Sequence, residues 1–193
     1  SADMLAKEGE GMSVNSLLTK KLADMVRALD PSRPVTAGRN GPHPYYHLFR
    51  SGALDIIGYN YHNQNVADVP KLFPGKPFII TESNSALMTR GYYVMPSDSM
   101  VICPDRWDIS YYDQSFSCSS YDNCHAPWGN THEETLKLVR DNDFVSGQYV
   151  WTGFDYIGEP TPYGWPARSS YFGIVDLAGF PKDVYYLYKS EWT

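Results

Sequence analysis

The stretch Gly75-Lys76-Pro77-Phe78-Ile79-Ile80-Thr81-Glu82 decides how the rest of the chain is read. Phe78 to Thr81 are β-branched or aromatic, and the Pro before them punctuates the entry, so they read as a buried parallel strand. Glu82 stands where that strand ends. In α/β sheets the strand ends are where side chains from different units converge on a ligand, which makes a carboxylate there a candidate catalytic group. A strand-end Glu solvated in a loop is the alternative that the remaining sequence must weigh against.

Outward from this strand the chain repeats itself. Leu18, Leu22, Met25, Val26 and Leu29 recur at helical spacing, with Ser13 or Asn15 as cap and Asp30-Pro31 as stop. Pro34 to Ala37 reads as a short strand, Tyr45 to Arg50 as a brief helix, Ala53 to Tyr59 as the next strand, and Asp68 to Phe73 as a short helix with Pro70 in its first turn. Strand starts near Val35, Ile56 and Phe78 lie 21 and 22 residues apart, the beat of βα units. Residues 83–130 then show no clear period and many Ser, Pro, Asp, Asn and Tyr; a loop of that length in a compact domain is usually functional. Thr131-His132-Glu133-Glu134 opens another helix, Phe144 to Trp151 is a fourth strand, and Tyr171 to Val175 is a last extended piece before Tyr185 to Tyr188. Residues 1–12 read as loop.

The 193 residues, 42% apolar and 20% charged, suffice for a domain with a real core. A net charge of −6 without any long basic run argues against nucleic acid or an anionic membrane surface as partner. No stretch is apolar enough to span a membrane, and Ser1-Ala2-Asp3-Met4 does not open a signal peptide, so no localisation follows, though a periplasmic or extracellular one is compatible. Sixteen Tyr, five Trp and eight Phe make up 15% of the chain, an excess that suits sugar-binding surfaces, apolar in the body and polar at the tip. Cys103, Cys118 and Cys124 are too few for a disulfide scaffold, and the last two do not have zinc spacing; free thiols are expected, with a Cys118–Cys124 bridge as the alternative.

Three strand ends carry polar or aromatic groups: Tyr59-Asn60-Tyr61-His62, Glu82, and Trp151-Thr152-Gly153-Phe154-Asp155-Tyr156. On one rim they would make a sugar site, with a carboxylate at the anomeric carbon, an indole face under the pyranose, and amides and phenols on hydroxyls. Ile80-Thr81-Glu82-Ser83, Gly58-Tyr59-Asn60-Tyr61 and Tyr149 to Tyr156 resemble the second half of the catalytic barrel of glycoside hydrolase family 2. Met95-Pro96-Ser97-Asp98-Ser99, Tyr121-Asp122-Asn123, Gly158-Glu159-Pro160-Thr161-Pro162 and Tyr171-Phe172-Gly173-Ile174-Val175-Asp176 resemble its bacterial β-galactosidase branch.

That resemblance implies an α/β fold, strands five to eight of a (β/α)8 TIM barrel with long loops after strands seven and eight, and residues 1–193 as one partial catalytic domain truncated at both ends. It implies a retaining β-galactosidase with Glu82 as nucleophile. Tyr61, or Tyr59 one step away in alternation, would hydrogen-bond that nucleophile; Asn60 would bind a hydroxyl and Trp151 would be the sugar platform. Asp155 and Glu159 stand nearer the rim as groups that bind hydroxyls or stabilise loops, and Trp165 lies in a loop that could cover the site. No cofactor is expected, and no metal, since the family's metal-binding positions near the acid/base are not in this chain. The expected partner is a β-linked galactoside or oligosaccharide, and the strand edges of a half barrel point to self-association.

One departure is plain: the Asn-Glu pair that supplies the family's acid/base at the end of strand four is missing. It is expected just upstream of residue 1, and the fragment alone should hydrolyse poorly. Glu8 and Glu10 match no motif. The rival readings are a non-catalytic carbohydrate-binding fragment and a family 2 enzyme of other specificity, β-glucuronidase or β-glucosidase. A β-glucuronidase would bring a basic Asn-x-Lys element after strand eight, where Asp176-Leu177-Ala178 stands instead.

Overall fold

The computed structural model describes residues 12–110 and 115–193. The expected loop at the N-terminus, with Glu8 and Glu10, lies outside them except for Met12. The chain divides into two compact units, the first running to Thr81 and adding Asn142–Gln148, the second comprising Glu82–Asp141 and Tyr149–Thr193.

In the first unit, α1 (Val14–Leu29) starts where the Ser13 side chain accepts a hydrogen bond from the Ser16 amide, an N-cap legible in the sequence. Its packing is not. The buried residues are Ser16, Thr19 and Ala23, while Leu18, Leu22, Met25, Val26 and Leu29 are about half exposed or more. The brief helix expected at Tyr45 to Arg50 is α2 (His47–Arg50), and β1 (Ile57–Asn60) is shorter than the run Ala53 to Tyr59. A 3-10 turn over Asn63–Asp68 leads into α3 (Val69–Leu72), with Pro in its first turn.

β1, β2 (Phe78–Asn84) and the strand Val145–Trp151 form one sheet, in that order. Four strands were expected. The segment Pro34 to Ala37 runs beside β1 but forms no ladder: Pro34 has no N–H, and the Val35 amide is taken by the Asp55 carboxylate at 2.8 Å. Val35 O still accepts from Asp55 N at 2.9 Å. Arg27 of α1 reaches the same carboxylate at 2.9 Å, so one Asp ties helix, segment and strand together. The core is aromatic, with Tyr59 and Phe78 rings edge-on at 5.0 Å and Phe49 on Phe73 at 4.9 Å, beside buried Ile57, Val66, Val69 and Ile80.

The second unit is built differently. Its long loop holds two two-residue strands, β3 (Val101–Ile102) and β4 (Cys124–His125), paired in parallel where no period is visible in the sequence. α4 (His132–Arg140) begins with a full capping box: Thr131 accepts from the Glu134 amide, and the Glu134 carboxylate accepts from the Thr131 amide at 3.0 Å. Asp122 adds to it, accepting from the amides of His132 and Glu133 at 3.0 and 2.8 Å. Val145–Trp151 is β5, and it is succeeded by a final helix α5 (Asp183–Trp192) that sequence reading did not find. Its run of aromatic residues has middling helix propensity, and only Val184 and Tyr188 are buried, so little helical period shows.

At the centre of this unit Lys182 is wholly buried. Its ammonium donates to Asp155 Oδ1 and Met88 O, each at 2.8 Å, and to Tyr171 O at 3.2 Å. Asp155 also accepts from the Gly173 amide at 2.8 Å. Gly173 is obligatory there, because a Cβ would lie 2.1 Å from Asp155 N. Burial pushes the Lys182 pKa down and that of Asp155 up, and their mutual attraction opposes both shifts. Nearby, His132 Nδ1 lies 2.8 Å from the Tyr188 hydroxyl, and burial, with the Lys182 charge adding, lowers the imidazole pKa to about 3.

Candidate active site

Glu82 is the first residue of the second unit, half-buried on β2. The chain on its C-terminal side is tightly held. Ser83 bonds the Asn84 side chain, Asn84 Nδ2 donates to Thr131 O at 2.9 Å, and Asn84 O accepts from Asn130 N at 2.7 Å. Asn84 and Ser85 then turn through left-handed backbone, φ 77° and 49°, conformations that non-glycine residues keep only where their surroundings fix them. The backbone carrying the carboxylate is therefore clamped on that side.

Trp151 ends β5 in the same unit. Its ring meets Tyr156 edge-on, centroids 6.0 Å apart, and packs against the cluster around Tyr163 and Phe172 while remaining partly open. The Trp151–Thr152 peptide bond is cis. Tyr156 closes the strand-end motif, but sequence reading assigned it no role of its own. Burial raises its phenol pKa, with the charges of Glu159 and Glu82 adding and the neighbouring Ser170 and Trp151 side chains pulling the other way. It is thus a side chain that meets the Trp151 ring and lies close enough to sense the Glu82 charge. An aromatic residue five positions past a strand-end Trp was the only sequence signal for it.

Asp155 and Trp165 fare differently. Asp155 is turned into the core by Lys182 and Gly173, so it supports the loop after β5 from beneath. Trp165 is 78% exposed, with the Arg168 guanidinium 5.9 Å from its ring centroid. Those two residues with Ile157, Gly158, Pro160 and Ala167 line a cavity of about 410 Å³.

The first unit holds the remaining candidates at the end of β1. Tyr59 does not point to a rim: it is fully buried and its hydroxyl donates to Pro42 O at 2.9 Å, so alternation selects its neighbour but one. Burial, with the Asp68 charge adding, raises the Tyr59 pKa. Tyr61 is left as the phenol of that pair, held with His62 in left-handed backbone, φ 58° and 60°. Asn60 Oδ1 accepts from the Thr81 hydroxyl at 2.7 Å, the residue covalently next to Glu82. Gly38 makes the space, since a Cβ there would stand 2.4 Å from Asn60 Oδ1.

β2 thus carries a half-buried carboxylate two residues before its end, and the next strand of the sheet ends in the indole of Trp151. No family model matches the chain. It is 78% identical over all 193 residues to Beta-galactosidase BoGH2A of Bacteroides ovatus, of which it spans 23%. A solved β-glycosidase from Bacteroides vulgatus is 28% identical, with a TM-score of 0.72 over 96% of this chain and 24% of that one. A glycosyl hydrolase family 2 member from Bacteroides cellulosilyticus shares the fold, with a TM-score of 0.62 and 23% identity over 94% of this chain and 19% of that one. The chain belongs to glycoside hydrolase family 2, as a segment about a quarter the length of the curated relative that it matches.

Proposed function

We propose that this chain is the nucleophile-bearing part of a retaining β-galactosidase, with Glu82 as the nucleophile. The carrying observation is the 78% identity over its whole length to the Bacteroides ovatus β-galactosidase. Residues 1–193 form part of one catalytic domain, with β1, β2 and β5 as strands six to eight of a (β/α)8 barrel. The uncovered apolar stripe of α1 supports this, being a face that the rest of such a barrel would bury.

In the proposed reaction a Glu82 carboxylate oxygen attacks the anomeric carbon, the bond to the aglycone oxygen breaks, and a protonated carboxyl group ~5–5.5 Å away delivers a proton to that oxygen. Water then cleaves the glycosyl ester with the second group acting as base. The 193 residues contain no Asn-Glu pair, so the acid/base belongs to the remainder of the enzyme. The family resemblance gives Trp151 the role of sugar platform, Tyr61 the bond to the nucleophile, Asn60 a hydroxyl of the sugar and Trp165 the cover of the site. Tyr156 packs edge-on against the indole, and Asp155 anchors the loop that carries Tyr156.

The test uses the full-length protein with a 2-fluoro galactoside bearing a good leaving group, and then peptide mass spectrometry. A sugar adduct on Glu82, absent in Glu82→Gln, is the expected result. An adduct on another carboxylate would move the site, and a folded, galactose-binding protein without any adduct would make it a binding fragment. Turnover of a nitrophenyl glycoside panel is expected to favour the galactoside; a preference for the glucuronide would overturn the substrate assignment.

A further inference from the structure

Three cysteines from separate parts of the second unit meet in its interior. Cys103 comes just after β3, Cys118 lies in the loop beyond it and Cys124 opens β4; all three are buried and none is in a disulfide. Cys124 Sγ lies 3.3 Å from Cys103 Sγ and 3.8 Å from Cys118 Sγ, and the three sulfurs all lie within 4.8 Å of one another. From their contacts, spacing and access we propose that Cys103, Cys118 and Cys124 form a three-thiolate site for a zinc ion.

The distances carry the argument. A Zn–S bond of ~2.3 Å in a tetrahedral shell puts neighbouring sulfurs about 3.8 Å apart, close to what is found here, whereas a disulfide needs ~2.05 Å and would leave a third thiol over. Amid the carbon of Leu87, Ala126 and Phe172 the three sulfurs face one another, with Cys124 hydrogen-bonded to both Cys103 and Cys118, so the ligand atoms are already gathered at one point.

Two further features fit. A cavity of about 320 Å³ reaches all three cysteines and is otherwise lined by residues such as Tyr92, Ser119 and Asn123, giving an ion a way in and a water a place in the fourth position. The Tyr163 hydroxyl lies 2.8 Å from Cys118 Sγ, placed to donate to the thiolate as an outer partner that fixes a ligand. On binding, three S–H bonds release three protons to solvent and three Zn–S bonds form, with no change of oxidation state. A loop whose only described ladder is two residues long gains a cross-link from such an ion. Spacing along the chain could not reveal the site, because β4 brings Cys124 back beside the segment that carries Cys103.

The test takes full-length protein, reduced and stripped of metal under anaerobic conditions, and adds zinc alone. Thiol alkylation in mild urea, read peptide by peptide, is expected to slow about tenfold or more at Cys103, Cys118 and Cys124 together and to recover with chelator. Cobalt(II) in place of zinc is expected to give the thiolate charge-transfer absorption of a tetrahedral sulfur site, lost in Cys124→Ser. The alkylation arm needs no variant, so a misfolded substitution cannot hide the answer. Equal alkylation with and without zinc overturns the proposal, as does a cobalt spectrum unchanged by Cys124→Ser.

Discussion

The two units reach order by opposite means. The first is organised by backbone ladders and by aromatic rings stacked edge to face, with Tyr59, Phe73 and Phe78 at its centre. The second has long loops, short bridges, and a buried lysine, histidine and asparagine that hold them through side-chain bonds. An apolar core tolerates approximate fit, whereas a buried polar network depends on the matching of its members; here Lys182 and Asn84 are bonded, while His132 Nε2 has no partner among the described residues. Glu82, the proposed nucleophile, is the first residue of the polar-held unit, and fixed dipoles are what a site stabilising developing charge needs.

The contrast can be broken most forcefully at Glu82. Glu82→Gln in the full-length protein should lower kcat/KM by about 10⁴-fold or more while leaving the unfolding midpoint in place. A large loss of stability with activity retained would make this carboxylate part of the network instead.

Next in size is a matched pair of core substitutions. Phe78→Ala in the first unit should cost about 3–5 kcal/mol, and no second substitution should restore it. Lys182→Met in the second should cost a similar ~3–5 kcal/mol by leaving Asp155 unpaired, yet adding Asp155→Leu should return most of that. Denaturant titration of the single and double variants measures both, and failure of the double variant to recover would show that Lys182 matters mainly through its bonds to the Met88 and Tyr171 carbonyls.

A smaller effect tests the buried imidazole. His132 has a pKa near 3 when folded and 6.5 as its ordinary value, so between these the unfolded chain binds a proton that the folded chain refuses. The stability it contributes is whole above pH 6.5 and is lost as pH falls toward 3, at no more than about 1.4 kcal/mol per pH unit. Unfolding curves at pH 7 and pH 5 should therefore diverge less in His132→Gln than in the parent. The smallest change is Thr131→Ala, which removes one arm of the α4 capping box and should cost about 1 kcal/mol in the same titration.

The sequence by itself determined what is local. The cap at Ser13 or Asn15 and the Asp30-Pro31 stop, the helix start at Thr131 to Glu134, and the runs at Phe78 and Phe144 were legible, because caps and periods act within one turn or one strand. Motif resemblance carried the family, and the proposal for Glu82 rests on it. Tertiary structure alone decided what each side chain meets. Tyr59 and Tyr61 look alike in a strand-end motif and both are buried, and it is the Pro42 carbonyl, taking the Tyr59 hydroxyl, that tells them apart. Asp155 reads as a rim carboxylate until Lys182 arrives from 27 residues downstream. The α1 stripe reads as a core face, yet the described residues leave it uncovered. The three thiols meet only after β3 and β4 pair. Contacts between residues far apart in sequence leave no local signature, since their energy is realised only when the fold has brought them together.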